Sequence, residues 1–166
     1  MNEIKSSLIK DIMTEKVIAV TKDTTISELS KILIKNKISG VPVIDDEGKL
    51  IGMVTDADII TEDMEPIFPI YFDPLIISYA FIENFEKYRK DIKEYLETPI
   101  EEIMTRRVKS VKRETPVSEA AKIMVRDKVN RIPVVDEYNK VIGIVARADI
   151  LKSMVTEAEK KIGSKK

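Results

Sequence analysis

The chain has 166 residues, with 28 Lys plus Arg against 29 Asp plus Glu and an apolar fraction of 43%. A body of this size buries roughly 70% of its unfolded surface and folds without cross-links. Its near-neutral charge offers no global field to nucleic acid or to an acidic membrane. The absence of cysteine excludes disulfides and thiolate chemistry and fits a reducing cytoplasm. The absence of histidine removes the commonest general base and metal ligand. No apolar signal core follows Met1, and the apolar stretch near Ile67–Ile82 is broken by Pro69, Asp73 and Pro74, so no membrane span is expected.

In chain order, Ile12–Thr14 leads into a short, partly alternating extended run at Val17–Val20. Over Thr24–Lys37, the residues Ile26, Leu29, Ile32 and Leu33 recur at helical spacing, which predicts an amphipathic helix. The β-branched run Gly40–Asp45 contains Pro42, which argues for an edge position or a strand start. Turn residues Asp45–Gly48 predict a hairpin into Lys49–Val54. A second helix is expected from about Thr55 through Ile60, and its counterpart from about Ala146 through Leu151.

An aromatic insert, residues 63–98, comes next. Eight of the nine Phe and Tyr residues fall between Phe68 and Tyr95, and only Tyr138 lies outside. Pro66, Pro69 and Pro74 exclude a continuous helix over its first part. From Pro74, the positions Leu75, Tyr79, Ile82, Phe85, Tyr88, Ile92 and Tyr95/Leu96 predict a long helix ended by Pro99. Such a face needs a cover, either its own module or a dimer or partner interface, where aromatics are enriched.

Displacing the chain by 91 residues lays Asp11–Ile60 on Glu102–Leu151 without a gap, with 21 identities in 50 positions. The chain is therefore a tandem duplication: unit 1 over 1–62, unit 2 over 99–155, and a charged tail over 156–166. In unit 2, Thr115 is expected to cap the first helix, with Pro116 as its first residue. Each unit is predicted to run strand, helix, strand, strand, helix. A unit this small is marginal alone, so the expected fold is α+β (α/β), with two pseudo-symmetric units packed sheet to sheet.

Three paired features, taken together, resemble the cystathionine-β-synthase (CBS) domain pair, or Bateman module. They are "IMT" (Ile12–Thr14, Ile103–Thr105), "SGVPVID"/"NRIPVVD" (Ser39–Asp45, Asn130–Asp136) and "GMVTDAD"/"GIVARAD" (Gly52–Asp58, Gly143–Asp149). The resemblance covers both copies, about 100 residues. It implies a regulatory, non-catalytic module that binds AMP, ADP or ATP, or S-adenosylmethionine, in clefts between the repeats, with no required cofactor and no metal.

Carried over by position, the first cleft would use Asp149, Ala146 and Ile144 with Thr14, Lys16, Ile18, Ile38 and Ser39. The second would use Asp58, Thr55 and Met53 with Thr105, Arg107, Lys109, Val129 and Asn130. Asp58 and Asp149 would accept the ribose diol as charge-assisted hydrogen bonds; the plainer alternative makes each a first-turn partner or cap of its helix. Free N–H groups at the helix start favour an anion. The backbone of Ile38 and Val129 would read the adenine edge, and Ile18 and Ile144 would sandwich its faces, unless these residues are simply core. Arg131, the counterpart of Gly40, would hold phosphate, and Lys16, Arg106 and Arg107 could reach the same anion. Because Ala146 replaces Thr55 and Lys109 replaces Ile18, the two sites are expected to differ. A homodimer is the default partner, with a separate effector protein as a further one. The rival reading is an interaction module that works through the insert and has vestigial clefts.

Overall fold

In a computed structural model of the chain, residues 7–60 and 89–163 are described, with side chains as far as Glu159. Unit 1 contains β1 (Val20–Thr21), α1 (Ile26–Asn36), β2 (Gly40–Ile44), β3 (Leu50–Thr55) and α2 (Asp56–Ile59). A helical stretch over residues 89–97, α3, represents the insert. Unit 2 contains α4 (Val117–Arg126), β4 (Arg131–Val135), β5 (Val141–Ala146) and α5 (Arg147–Gly163). The described residues form one sheet of order β1-β2-β3 and a second of order β4-β5. No helix among them is long and apolar enough to cross a membrane.

The spacing of α1 becomes its packing: Ile26, Leu29 and Leu33 are buried while Ile34 points outward. Thr25 caps the helix, its hydroxyl accepting from Glu28 N–H at 3.2 Å and its own N–H donating to the Glu28 carboxylate at 2.9 Å. The equivalent start in unit 2 differs from expectation. There α4 begins at Val117 with Pro116 at the cap, and the Thr115 hydroxyl accepts from Lys112 N–H at 3.0 Å instead. The first strand is also weaker in unit 2, reduced to a bridge between Val111 and Val134.

Pro42 lies at the middle of β2, the central strand of its sheet, and not at an edge or strand start. Its ladder partner Met53 exchanges both backbone hydrogen bonds with Thr105 on its other side, each at 2.9 Å. Pro42 therefore occupies a ladder position where no N–H is required of it. Pro133 repeats the arrangement: Ile144 opposite it bonds Thr14, and Val111 N–H donates to the Pro133 carbonyl at 3.0 Å.

The two repeats exchange their lead-in segments. Ile9 belongs to the first repeat, yet it is fully buried among Val111, Ala120, Met124, Ile132, Val134, Val145 and Ile150. Ile100 and Met104 belong to the second repeat, yet they complete the core of Val20, Leu29, Leu33, Val41, Val43 and Val54. Backbone bonds fix both crossings: Ile9 N–H donates to Thr115 C=O at 2.9 Å and Ile100 N–H to Thr24 C=O at 2.8 Å. The lead-in loops then pair with the opposite third strands, Thr14 with Ile144 and Thr105 with Met53. Gly52 and Gly143 permit this approach. A Cβ on Gly52 would stand 2.9 Å from Met104 Sδ, and one on Gly143 2.7 Å from Met13 Sδ.

In the insert, Ile92, Tyr95 and Leu96 are the partly covered positions of α3, the face that their spacing predicts. The Tyr95 hydroxyl donates to Ile59 C=O at 2.6 Å, which ties the insert to the end of α2. The helix ends at residue 97, before Pro99. Its expected beginning at Pro74, the face from Leu75 to Tyr88 and the breaks at Pro66 and Pro69 lie outside the described residues, as does the end of the charged tail.

Candidate functional site

Each third strand ends where a helix begins, and the turn between them presents a carboxylate. Asp58 Oδ2 accepts from Thr55 N–H at 2.7 Å and from the Thr55 hydroxyl at 2.8 Å. Asp149 Oδ2 accepts from Ala146 N–H at 2.7 Å and has no hydroxyl to receive. The capping alternative is thus real, but it occupies one oxygen. Among the described residues, Oδ1 of both aspartates has no hydrogen-bond partner. A carboxylate oriented by its own backbone and open on the other oxygen can accept from a diol.

The crossing of the lead-in loops places two cavities on opposite sides of the junction. One, of about 460 Å³, is lined by all eight residues assigned to the first cleft: Thr14, Lys16, Ile18, Ile38, Ser39, Ile144, Ala146 and Asp149. The other, of about 540 Å³, is lined by all eight assigned to the second, Met53, Thr55, Asp58, Thr105, Arg107, Lys109, Val129 and Asn130, and by Arg131. Both volumes suit a small organic ligand. Among the described residues, no group of His, Cys, Asp and Glu is placed to hold a metal ion.

Three expectations need correction. The Ile38 and Val129 N–H groups are already donated, to Leu33 C=O and Met124 C=O at 3.1 Å each. Reading of a base edge there falls to the carbonyls, and that of Val129 also accepts from Arg147 Nη2 at 3.3 Å. Arg106 lines neither cavity: its guanidinium is held by Glu101, at 3.1 Å from the carbonyl and 3.3 Å from the carboxylate. Finally, α2 is four residues long, so the helix-start attraction for anions is weak in the second cleft and belongs to the 17-residue α5 in the first.

Other lining residues were not expected. Lys37 and Lys128 stand at matched positions after α1 and α4, both in the left-handed region with φ of 53° and 54°, and each lines its own cleft. The shared lysine was visible in the alignment of the repeats, but the helix end that aims it at a cleft was not. Asp56 and Asp127 add carboxylates to the second cleft. A hydrogen bond from the Arg126 guanidinium, at 2.7 Å, holds the Asp127 carboxyl below the usual carboxylate range, with Lys109 adding to the effect.

Arg131 lines both cavities. It leaves the start of β4, crosses the junction and donates through Nη2 to the Ser39 hydroxyl of the other repeat. Burial pushes its guanidinium below the ordinary arginine value, and Asp56 opposes the shift. A Cβ on Gly40 would lie 2.6 Å from Arg131 Nη1, 2.8 Å from Thr55 Cγ2 and 2.9 Å from Val54 C=O. Because the last contact is fixed backbone, Gly40→Ala is expected to cost about 1–3 kcal/mol. Chemical denaturation would measure it, and an unchanged midpoint would mean that the junction is looser than these distances require.

A family model described as CBS domain matches residues 9–65 and 100–156. The chain is 36% identical over 154 residues to uncharacterized protein MJ1426 of Methanocaldococcus jannaschii, covering 89% of this chain and 91% of that one. Among solved structures it is similar to the CBS domain pair of protein MJ0100 in complex with 5′-methylthioadenosine and S-adenosyl-L-methionine. The identity is 31% and the TM-score 0.66, over 92% of this chain and 98% of that one. It is also similar to CBSX2 of Arabidopsis thaliana in complex with AMP, with 25% identity and a TM-score of 0.66, over 91% of this chain and 98% of that one.

Proposed function

The chain belongs to the CBS domain family, and from that premise we propose that it is a non-catalytic regulatory module whose two inter-repeat clefts take adenosine-containing ligands. AMP, ADP or ATP would be the ligands through which it senses cellular energy state. The observation that carries this reading is the pair of aspartates, Asp58 and Asp149, each anchored by one oxygen and open on the other at the edge of a cavity. Their free oxygens would accept the ribose hydroxyls. In the first cleft, Ile18 and Ile144 supply apolar faces for the base; in the second, Lys109 and Met53 stand in their places. Arg131, with Lys16 on one side and Arg107 on the other, supplies positive charge for phosphate. Relatives solved with AMP and with S-adenosyl-L-methionine support the ligand class.

A ligand that binds only the folded chain raises its stability by about 2.7 kcal/mol at a hundred times Kd. For a chain of this size that is a rise in Tm of roughly 5–11 °C. Differential scanning fluorimetry with AMP, ATP, S-adenosyl-L-methionine and 5′-methylthioadenosine checks it. No rise with any of the four would overturn the reading.

A second observation favours a homodimer. Ile34 and Val125, equivalent in the two repeats, are 77% and 75% exposed, and the equivalent Ile60 and Leu151 are 73% and 57% exposed. Isolated exposed apolar residues are ordinary, but here the exposure recurs at equivalent positions of both units, and Val125 and Leu151 line one hollow with Met154. A two-fold partner would cover the exposed positions of both units. Val125→Glu together with Ile34→Glu is expected to halve the mass found by light scattering at micromolar concentration. A wild-type monomer would sink the idea. An effector protein, cytoplasmic like the module, would read the ligand-bound dimer.

A further inference from the structure

We propose that Arg131 is a single cation shared by the two clefts, so that one bound phosphate-bearing ligand weakens the binding of a second, while two uncharged adenosine ligands bind independently. The inference rests on the reading that both clefts take adenosine-containing ligands, and it specifies the ligand class and the coupling. Among the described residues, only Arg131 and Ser39 line both cavities, and the Arg131 guanidinium is bonded to the Ser39 hydroxyl. The bonded pair of Arg131 and Ser39 is therefore exposed to both clefts at once.

The pseudo-symmetry explains why there is one such cation and not two. The repeat equivalent of Arg131 is Gly40, and even a Cβ at Gly40 would meet Arg131 Nη1 at 2.6 Å. Two arginines cannot occupy the junction in this arrangement. The remaining cations belong to one cleft each: Lys16 and Lys37 to the first, Arg107, Lys109 and Lys128 to the second. Lys16, Lys37, Arg107, Lys109 and Lys128 are exposed, so water and salt already screen them. Arg131 is partly buried, where a charge acts more strongly on its neighbours. A phosphate dianion entering either cleft neutralises the guanidinium and draws it over. A second dianion in the other cleft then meets a vacated hydroxyl and a like charge behind it. A ligand without phosphate makes no such demand. The carboxylates Asp56 and Asp127 in the second cleft steepen the asymmetry, because they oppose an anion there whenever Arg131 is turned away.

Isothermal titration calorimetry on the full chain tests this with AMP and 5′-methylthioadenosine as probes. Asp58→Asn and Asp149→Asn each weaken one cleft, and their isotherms give the affinity of the other. Those two constants predict the wild-type isotherm for independent sites. The second AMP is expected to bind about tenfold more weakly than that prediction, and 5′-methylthioadenosine to follow it. In Arg131→Gln, AMP should follow the independent prediction as well, at lower affinity. Retained 5′-methylthioadenosine binding reports that this variant is folded. As a measurement on the wild-type chain alone, rising salt should shrink the AMP discrepancy and leave 5′-methylthioadenosine unaffected. Independent AMP sites in the wild type, a discrepancy that persists in Arg131→Gln, or one insensitive to salt would each overturn the shared-cation proposal while leaving the ligand class intact. Failure of both probes to bind would overturn the functional reading itself.

Discussion

Ile100→Ala is expected to destabilise the whole chain by about 2–5 kcal/mol, although the residue opens the second unit and its side chain serves the first. Ile100 is fully buried in a core whose other members include Leu29, Val41, Val43 and Val54. Truncation removes the apolar burial of three carbons and leaves a void that the strands cannot collapse into, because Ile100 N–H and Met53 N–H hold the lead-in segment in place. The corresponding fall in Tm is roughly 4–20 °C. Ile9→Ala should act with the same size on the other core, since Ile9 plays the equivalent part among Val134, Val145 and Ile150. Because each lead-in completes the opposite unit, the two halves should unfold in one transition in both variants. Differential scanning calorimetry distinguishes the outcomes: two separate peaks, or a change no larger than that of the exposed control Val155→Ala, would contradict the exchange.

That exchange marks the limit of what could be read from the chain. The duplication was legible because 21 of 50 aligned positions are identical, and local periodicity within each copy gave α1, β2, β3 and their counterparts. Alignment relates Ile9 to Ile100 but does not say whose core either one fills. A self-packed and a swapped arrangement have the same apolar pattern. The cavity-lining residues were legible for a related reason: the resemblance carried the crossed arrangement that periodicity lacks. The misreadings came from hydrogen bonds. Pro42 looks like an edge residue until its partner Met53 is seen bonding Thr105. Thr115 looks like a cap until its hydroxyl is seen accepting from Lys112. Arg106 looks like a phosphate ligand until Glu101 is seen holding it.

The difference between Thr55 and Ala146 acquires a physical meaning from the same bonds. The Thr55 hydroxyl donates to Asp58, so that carboxylate already receives two local donors where Asp149 receives one. The hydroxyl orients Asp58 but draws on its charge. Asp149, which receives no such hydroxyl, keeps more uncommitted charge for an incoming diol.

Asp149→Asn should therefore lower AMP affinity in the first cleft more than Asp58→Asn lowers it in the second. Hydrogen bonds to a charged acceptor contribute about 1.5–3 kcal/mol and those to a neutral one about 0.5–1.5 kcal/mol. With the one asparagine oxygen on the cap, the amide NH2 replaces the open acceptor in the cleft, so the loss of a charged acceptor predicts a fall of at least roughly tenfold in affinity. The asparagine oxygen can still accept from Ala146 N–H or Thr55 N–H, so the cap survives and stability should fall by less than about 1 kcal/mol. Asp149→Ala removes the charge, the acceptor and the cap together, and is expected to lose both the ligand response of its cleft and about 1 kcal/mol of stability. Comparing the two substitutions separates the roles, because a purely capping aspartate would show a stability loss in alanine and no affinity change in asparagine. Calorimetric titration with AMP alongside urea unfolding measures both quantities. If AMP binds Asp149→Asn and Asp58→Asn as tightly as it binds the wild type, the open carboxylate oxygens have no part in holding the ribose, and both aspartates are caps alone.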